Sequence, residues 1–188
     1  PPIRKLRIHI LLTEPLTEGR RYAVETPLKA LASLEFTYQP DFTSPSIQVN
    51  QLGYLPNADK QAFAGNWLGT AGPMPVDYLQ FAVTNAVSGK IEFQGNLEKV
   101  ADRDGWSGNA VYRADFGDFQ NKGEYVLTIP GLGKSHAFSI SKGVFEPVFH
   151  KVFRLFYHSR NSTAVKAPWA DPGYERSAGI AAELSAKI

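Results

Sequence analysis

Residues Ile47–Pro56 read IQVNQLGYLP: two alternating apolar positions, a glycine turn and a closing proline. Read outward, this segment opens a series of short strand-like stretches, FAVTNAVSGKIEFQG (81–95), NAVYRADFGDF (109–119), GEYVLTIPG (123–131) and SHAFSI (135–140). Turn signals fall between them about every ten residues, at LGYLPN, GTAGP, NAVSG, RDGWSGN, QNKG and PGLGKS. The stretches themselves carry β-branched and aromatic residues: Ile47 and Val49, Phe81 and Val83, Ile91 and Phe93, Val111, Tyr125 with Leu127 and Ile129, Phe138 and Ile140. That rhythm predicts an all-β sandwich over residues 46–141. Gly89, in the hairpin NAVSGKIEF, is the clearest position for a left-handed turn residue.

Upstream, Leu6, Ile8, Ile10 and Leu12 alternate in the manner of a half-buried strand, and RRYAVETP and SLEFTYQP predict two further strands. PLTEGRRYAVETP also echoes DFQNKGEYVLTIP: a turn glycine, a tyrosine, alternating apolar residues and a proline. Each tyrosine is a candidate for the corner of an immunoglobulin-like sandwich, in which the phenol ties one strand to upstream backbone. Two readings of residues 1–43 stand side by side: the closing strands of a preceding β-sandwich, or extra N-terminal strands added to the main one.

Downstream, VFEPVFHKVFRLFYHSR (144–160) predicts a helix. Phe145, Phe149, Val152, Phe153 and Phe156 recur at steps of three and four along one stripe. Burying a large apolar side chain is worth about 1.5–3 kcal/mol, so such a face calls for a covering partner.

Composition bounds the rest. The chain has 188 residues, 43% of them hydrophobic, and a formal charge of +2 from 20 basic and 18 acidic residues. There is no basic block of the kind nucleic acid requires and no apolar run near the ~20 residues that span a bilayer. With no cysteine, disulfides, thiolate metal sites and cysteine nucleophiles are excluded. His9, His136, His150 and His158 are scattered; the last two share the helix at a spacing too wide for one metal ion. No GxSxG elbow occurs, and PGLGKS lacks phosphate-loop spacing and reads as a hairpin turn. Asn161-Ser162-Thr163 matches a glycosylation acceptor.

Taken together, the ordered blocks from residue 46 to about 178 resemble the N-terminal immunoglobulin-like module of family 9 glycoside hydrolases. FYHSR (156–160) resembles the end of that family's first barrel helix, and APWADPGYERSAG (167–179) resembles the loop after it. The resemblance implies an immunoglobulin-like β-sandwich at 46–141, an apolar helix at 142–160 that would begin an (α/α)6 barrel, and a linker at 161–188. It also implies a non-catalytic accessory role for this chain, without cofactor or metal. The partner would be the catalytic barrel of an inverting enzyme acting on a β-linked glucan, in a secreted or periplasmic bacterial protein. Phe145, Phe149, Val152, Phe153, Phe156, Arg160 and Trp169 are the expected interface residues.

Inverting catalysis needs two carboxyl groups roughly 6.5–9.5 Å apart. The family's DAGD-like motif does not occur in this sequence, and the nearest stretch, ADFGDF with Asp115 and Asp118, reads as a capped turn. Two other functions are weighed. Trp67, Trp106 and Tyr112, with Tyr54, are candidate stacking surfaces for a polysaccharide. The uncovered helix and extra strands are candidate elements for self-association.

Overall fold

The structure, a computed structural model, describes residues 8–10, 12–25, 33–160 and 162–179. The chain divides into two units after Lys142. Among the described residues the first holds ten strands: β1 (Arg21–Val24), β2 (Leu34–Thr37), β3 (Ile47–Gln48), β4 (Gln61–Ala64), β5 (Gln80–Asn85), β6 (Ile91–Ala101), β7 (Val111–Asp115), β8 (Gly123–Ile129), β9 (Gly133–Lys134) and β10 (Phe138–Ile140). The second holds α1 (Glu146–His158).

β6 joins the layers. From Ile91 to Asn96 it pairs antiparallel with β5, and from Leu97 to Ala101 with β7, with register shifts beside both pairings. One strand therefore serves two sheets, ordered β10-β8-β5-β6 and β6-β7-β4-β3, with β9 added to β8. Bends of this kind let a strand turn the corner of a sandwich. Period-two alternation supplies the inner faces. Val83, Leu127, Phe116 and Ile140 are fully buried, and Tyr125, Phe138, Ala62 and Ala114 nearly so. The rings interlock edge to face, Tyr54 against Phe116 at 5.3 Å and against Phe138 at 5.4 Å, and Phe119 against Tyr125 at 5.0 Å. The all-β immunoglobulin-like sandwich read from the sequence is the fold observed.

Two positions need glycine. Gly89 closes the β5–β6 hairpin at φ 69°, where Asn85 Oδ1 accepts from the amides of Val87 and Ser88. Gly133 sits at φ 91°, and a Cβ there would lie 2.4 Å from the Phe42 carbonyl oxygen. That close approach lets Phe42 O accept from Lys134 N and Lys134 O accept from Ser44 N, fastening residues 42–44 to the sandwich.

β1 and β2 form a separate two-stranded antiparallel sheet, as RRYAVETP and SLEFTYQP predict. Of the strand expected farther upstream, the described residues 8–10 and 12 form no strand. Ile8, Ile10 and Leu12 lie outside any strand at 57–61% exposure, and Leu6 lies outside the described residues. Alternation alone does not hold a strand that has no ladder partner.

In the second unit, α1 starts without a side-chain cap, with Pro147 in its first turn. Ser159 Oγ donates to Leu155 O at 2.8 Å at its end. Of the segment expected to be a linker, the described residues 162–179 fold back on this helix. Val165 pairs with Arg176 and is fully buried, and Ala170 is 6% exposed. The glycosylation acceptor Asn161 lies outside the described residues.

Candidate interaction surface

The tail and the apolar stripe occupy different faces of α1. Arg154 Nη2 donates to Asp171 Oδ2 at 2.8 Å, and the His158 ring meets Tyr174 edge to face at 6.0 Å. Lys166 N donates to Tyr157 Oη at 3.2 Å, and Arg176 donates to the carbonyls of His158 and Arg160. These contacts draw on the side of the helix that carries Lys151, Arg154 and His158, which with Leu155, Asp171 and Tyr174 line a shallow groove. The Arg154 guanidinium holds the Asp171 carboxyl below its usual range, chiefly through the hydrogen bond.

The remaining face is apolar and uncovered. Phe149 and Phe153 are 63% exposed, Phe156 67%, Val152 50% and Phe145 39%. Phe149 and Phe153 stack on each other at 5.8 Å, one turn apart. Arg160 is exposed at the end of the stripe, and Trp169 stands 66% exposed on the tail. Exposed apolar area concentrated in this way is a candidate contact surface.

The aromatic candidates for sugar stacking separate clearly. Trp106 is 100% exposed at the tip of a braced turn, where Asp104 Oδ1 accepts from the amides of Trp106 and Ser107 and from Ser107 Oγ. Those hydrogen bonds, to Ser107 above all, hold the Asp104 carboxyl below its usual range. Trp67 is 39% exposed and its ring packs over Gly108. Tyr112 is 8% exposed in the core with Lys99 Nζ 5.8 Å from its ring, and Tyr54 is 7% exposed, so neither offers a free ring face.

The acidic pair of ADFGDF belongs to a turn. Asp115 Oδ1 accepts from Gly117 N at 2.9 Å, and Phe119 N donates to Phe116 O. Beneath it lies a feature that sequence reading missed. Lys60 is 0% exposed, and its ammonium donates to the carbonyls of Pro56, Ala58 and Gly117 at 2.7, 2.8 and 2.9 Å. Burial pulls its pKa down, against the opposing charges of Asp59, Asp118 and Asp115. All three ammonium protons are used, so this lysine is a structural staple. A lysine in a polar context, ADKQAF, carries no sequence signal of burial. Among the described residues, no group of three or more His, Cys, Asp or Glu is placed to hold a metal ion, and no helix is long and apolar enough to cross a membrane.

Comparison with known proteins places this geometry. Residues 42–134 match the family model described as the cellulase N-terminal ig-like domain. Endoglucanase D of Acetivibrio thermocellus is 30% identical over 146 residues, which is 78% of this chain and 21% of that protein. A xyloglucan-specific endo-beta-1,4-glucanase of Bacteroides ovatus is 29% identical over 134 residues, 71% of this chain and 21% of that enzyme. Among solved structures, a Bacteroides ovatus GH9 protein superposes with a TM-score of 0.55 at 27% identity, over 72% of this chain and 22% of its own. A metagenome-derived glycoside hydrolase family 9 endoglucanase gives 0.54 at 28% identity, over 71% of this chain and 27% of its own. The chain thus spans about a fifth of the length of the curated relatives it matches. Through residues 42–134, this chain belongs to the cellulase N-terminal immunoglobulin-like domain family, the module found in family 9 glycoside hydrolases.

Proposed function

We propose that this chain is a non-catalytic accessory module that packs against the catalytic (α/α)6 barrel of a family 9 glycoside hydrolase and stabilises it. The observation that carries the reading is the uncovered stripe of Phe145, Phe149, Val152, Phe153 and Phe156 on α1, with Arg160 exposed at its end; Trp169, exposed on the tail, is a second contact we assign to the barrel. The sandwich itself is braced by ring packing and the Lys60 staple. Covering the stripe would lower the free energy of both partners and hold the barrel's first helix in place, acting on the active-site loops at a distance. Relatives named as endoglucanases support a β-linked glucan as the substrate of the whole enzyme and a secreted or periplasmic bacterial setting. The catalytic carboxylates would come from the barrel, since the Asp115 and Asp118 segment is committed to its turn.

The test is to mix this chain with a separately produced family 9 barrel and follow the barrel's thermal midpoint and glucanase activity. A stable complex and a raised midpoint are expected. A barrel indifferent to the chain, with the chain sedimenting as a large homo-oligomer, would replace this reading with self-assembly.

One observation favours a second role. An indole wholly in water on a rigid turn is a ready stacking platform, so Trp106 would let the module hold a polysaccharide near the barrel. Affinity electrophoresis in soluble β-glucan tests it: retardation that disappears in Trp106→Ala supports the role, and unretarded migration of the unaltered chain removes it.

A further inference from the structure

In two consecutive residue pairs, the β1–β2 hairpin repeats the pairing of β8 with β10 that closes the sandwich it precedes. In β8–β10, Tyr125 stands opposite Phe138; in β1–β2, Tyr22 stands opposite Phe36. The partners are 13 residues apart in the first pair (138 − 125) and 14 in the second (36 − 22). The flanking pairs correspond as well, Glu124 with Ser139 and Arg21 with Thr37, a charged residue opposite a hydroxyl in both. The rings meet in both places, at 6.3 Å for Tyr125 with Phe138 and 5.9 Å for Tyr22 with Phe36. Each tyrosine hydroxyl reaches back to upstream backbone: Tyr125 Oη donates to Lys122 O at 3.4 Å, and Tyr22 Oη accepts from Thr17 N at 2.8 Å. Six residues before each tyrosine stands an apolar residue, Phe119 or Leu16, and five after it a proline, Pro130 or Pro27.

The two hairpins differ in what covers them. Tyr125, Leu127 and Phe138 are 1%, 0% and 1% exposed because the second sheet lies over them. Their counterparts Tyr22, Val24 and Phe36 are only half-buried, and Leu34, opposite Val24, is 60% exposed. The other face carries Arg21, Ala23, Glu35 and Thr37, with an ion pair between Arg21 and Glu35. A lone two-stranded ribbon with one apolar face is marginal in water, so its sequence is that of a sheet built to be covered.

We propose that β1 and β2 are the closing strand pair of a second immunoglobulin-like sandwich, whose remaining strands come from the same polypeptide upstream of Pro1. The occupant of the Tyr22, Val24, Leu34 and Phe36 face is the inner face of that sandwich's opposing sheet. Residues 38–43 are the joint between the two sandwiches, fastened to the downstream one through Phe42, Thr43 and Ser44 on Lys134.

Hydrogen exchange followed by mass spectrometry, on this chain and on the full-length protein that carries it, tests the proposal. In this chain, peptides covering 20–25 and 33–38 should exchange far faster than the one covering 123–129. In the full-length protein they should slow by about 100-fold or more, as local opening becomes coupled to a whole domain. Val24→Asp with Phe36→Asp should restore fast exchange there while leaving 44–141 protected. Unchanged hairpin exchange in the full-length protein would overturn the proposal. So would protection in this chain alone that rises with concentration alongside a dimer in sedimentation, because the face would then be covered by a second copy.

Discussion

Replacing Phe149 and Phe153 together by aspartate separates a contact surface from a folding element. Each ring is 63% exposed in this chain, so the change removes little that the fold itself uses. What is lost locally is one i,i+4 aromatic pair, worth roughly 0.5 kcal/mol, and surface substitutions otherwise stay within about 0.5 kcal/mol. Covering the same rings by a barrel is a larger matter. An aromatic side chain buries about 150–250 Å², so closing over the exposed part of both removes on the order of 250 Å² from water. At roughly 25 cal/mol per Å² that is about 6 kcal/mol before the costs of association. With those costs, and with two carboxylates forced toward an apolar surface, the double variant should weaken binding by at least about 3 kcal/mol, or more than ~100-fold in Kd. Titration calorimetry against a separately produced barrel reads the binding, and urea denaturation reads the fold. Binding unchanged within threefold would refute the assignment of this face to the barrel, whereas a collapse in stability would refute the claim that the stripe is free.

Lys60→Met keeps the length of the side chain but strands the carbonyls of Pro56, Ala58 and Gly117, and should cost about 3 kcal/mol in urea denaturation; a cost under about 1 kcal/mol would mean water replaces the ammonium. Burial raises the Tyr54 hydroxyl pKa above its ordinary 10.0, while its hydrogen bond from Asn50 N opposes this. A raised folded value means stability is fully present below the unfolded pKa of about 10 and is lost as pH rises through the folded value. Tyr54→Phe should therefore flatten the alkaline limb of the stability–pH profile, and an unaltered limb would assign it elsewhere. Gly133→Ala, with φ 91° and a backbone oxygen 2.4 Å from the new Cβ, should cost more than about 2 kcal/mol; Gly89→Ala, at φ 69° with nothing within 4 Å, should cost about 1 kcal/mol. Trp106→Ala should leave the melting temperature unaltered, because a wholly exposed indole contributes no packing.

Several features were legible because they depend on short-range chemistry. The turn glycines, the alternation in FAVTN, VYRAD and YVLTI, and the three-four spacing of the phenylalanines each fix a local backbone choice, and the elements appear where those signals stand. The apolar stripe was legible for the same reason, since a helix brings residues at that spacing to one face. The alternation of Ile8, Ile10 and Leu12 carried the same signal, yet these described residues lie in no strand, because a strand exists only with a ladder partner and nothing local names one.

By itself, then, the sequence determined β3, β5 to β8 and β10 of the sandwich but not β4 or β9, together with the family resemblance carried by their order, the apolar face of α1 and the echo between residues 15–27 and 118–130. Only the tertiary structure decided what depends on residues far apart in the chain. It put β6 in both sheets, closed the rings of Tyr112 and Tyr54 into the core while leaving Trp106 in water, and converged Lys60 with Gly117 across 57 positions. It also folded residues 162–179 onto α1 and matched Tyr22 with Phe36 in the register of Tyr125 with Phe138. Burial and pairing are set by which distant surfaces meet, and a pattern of neighbours along the chain fixes only which surfaces are available to meet.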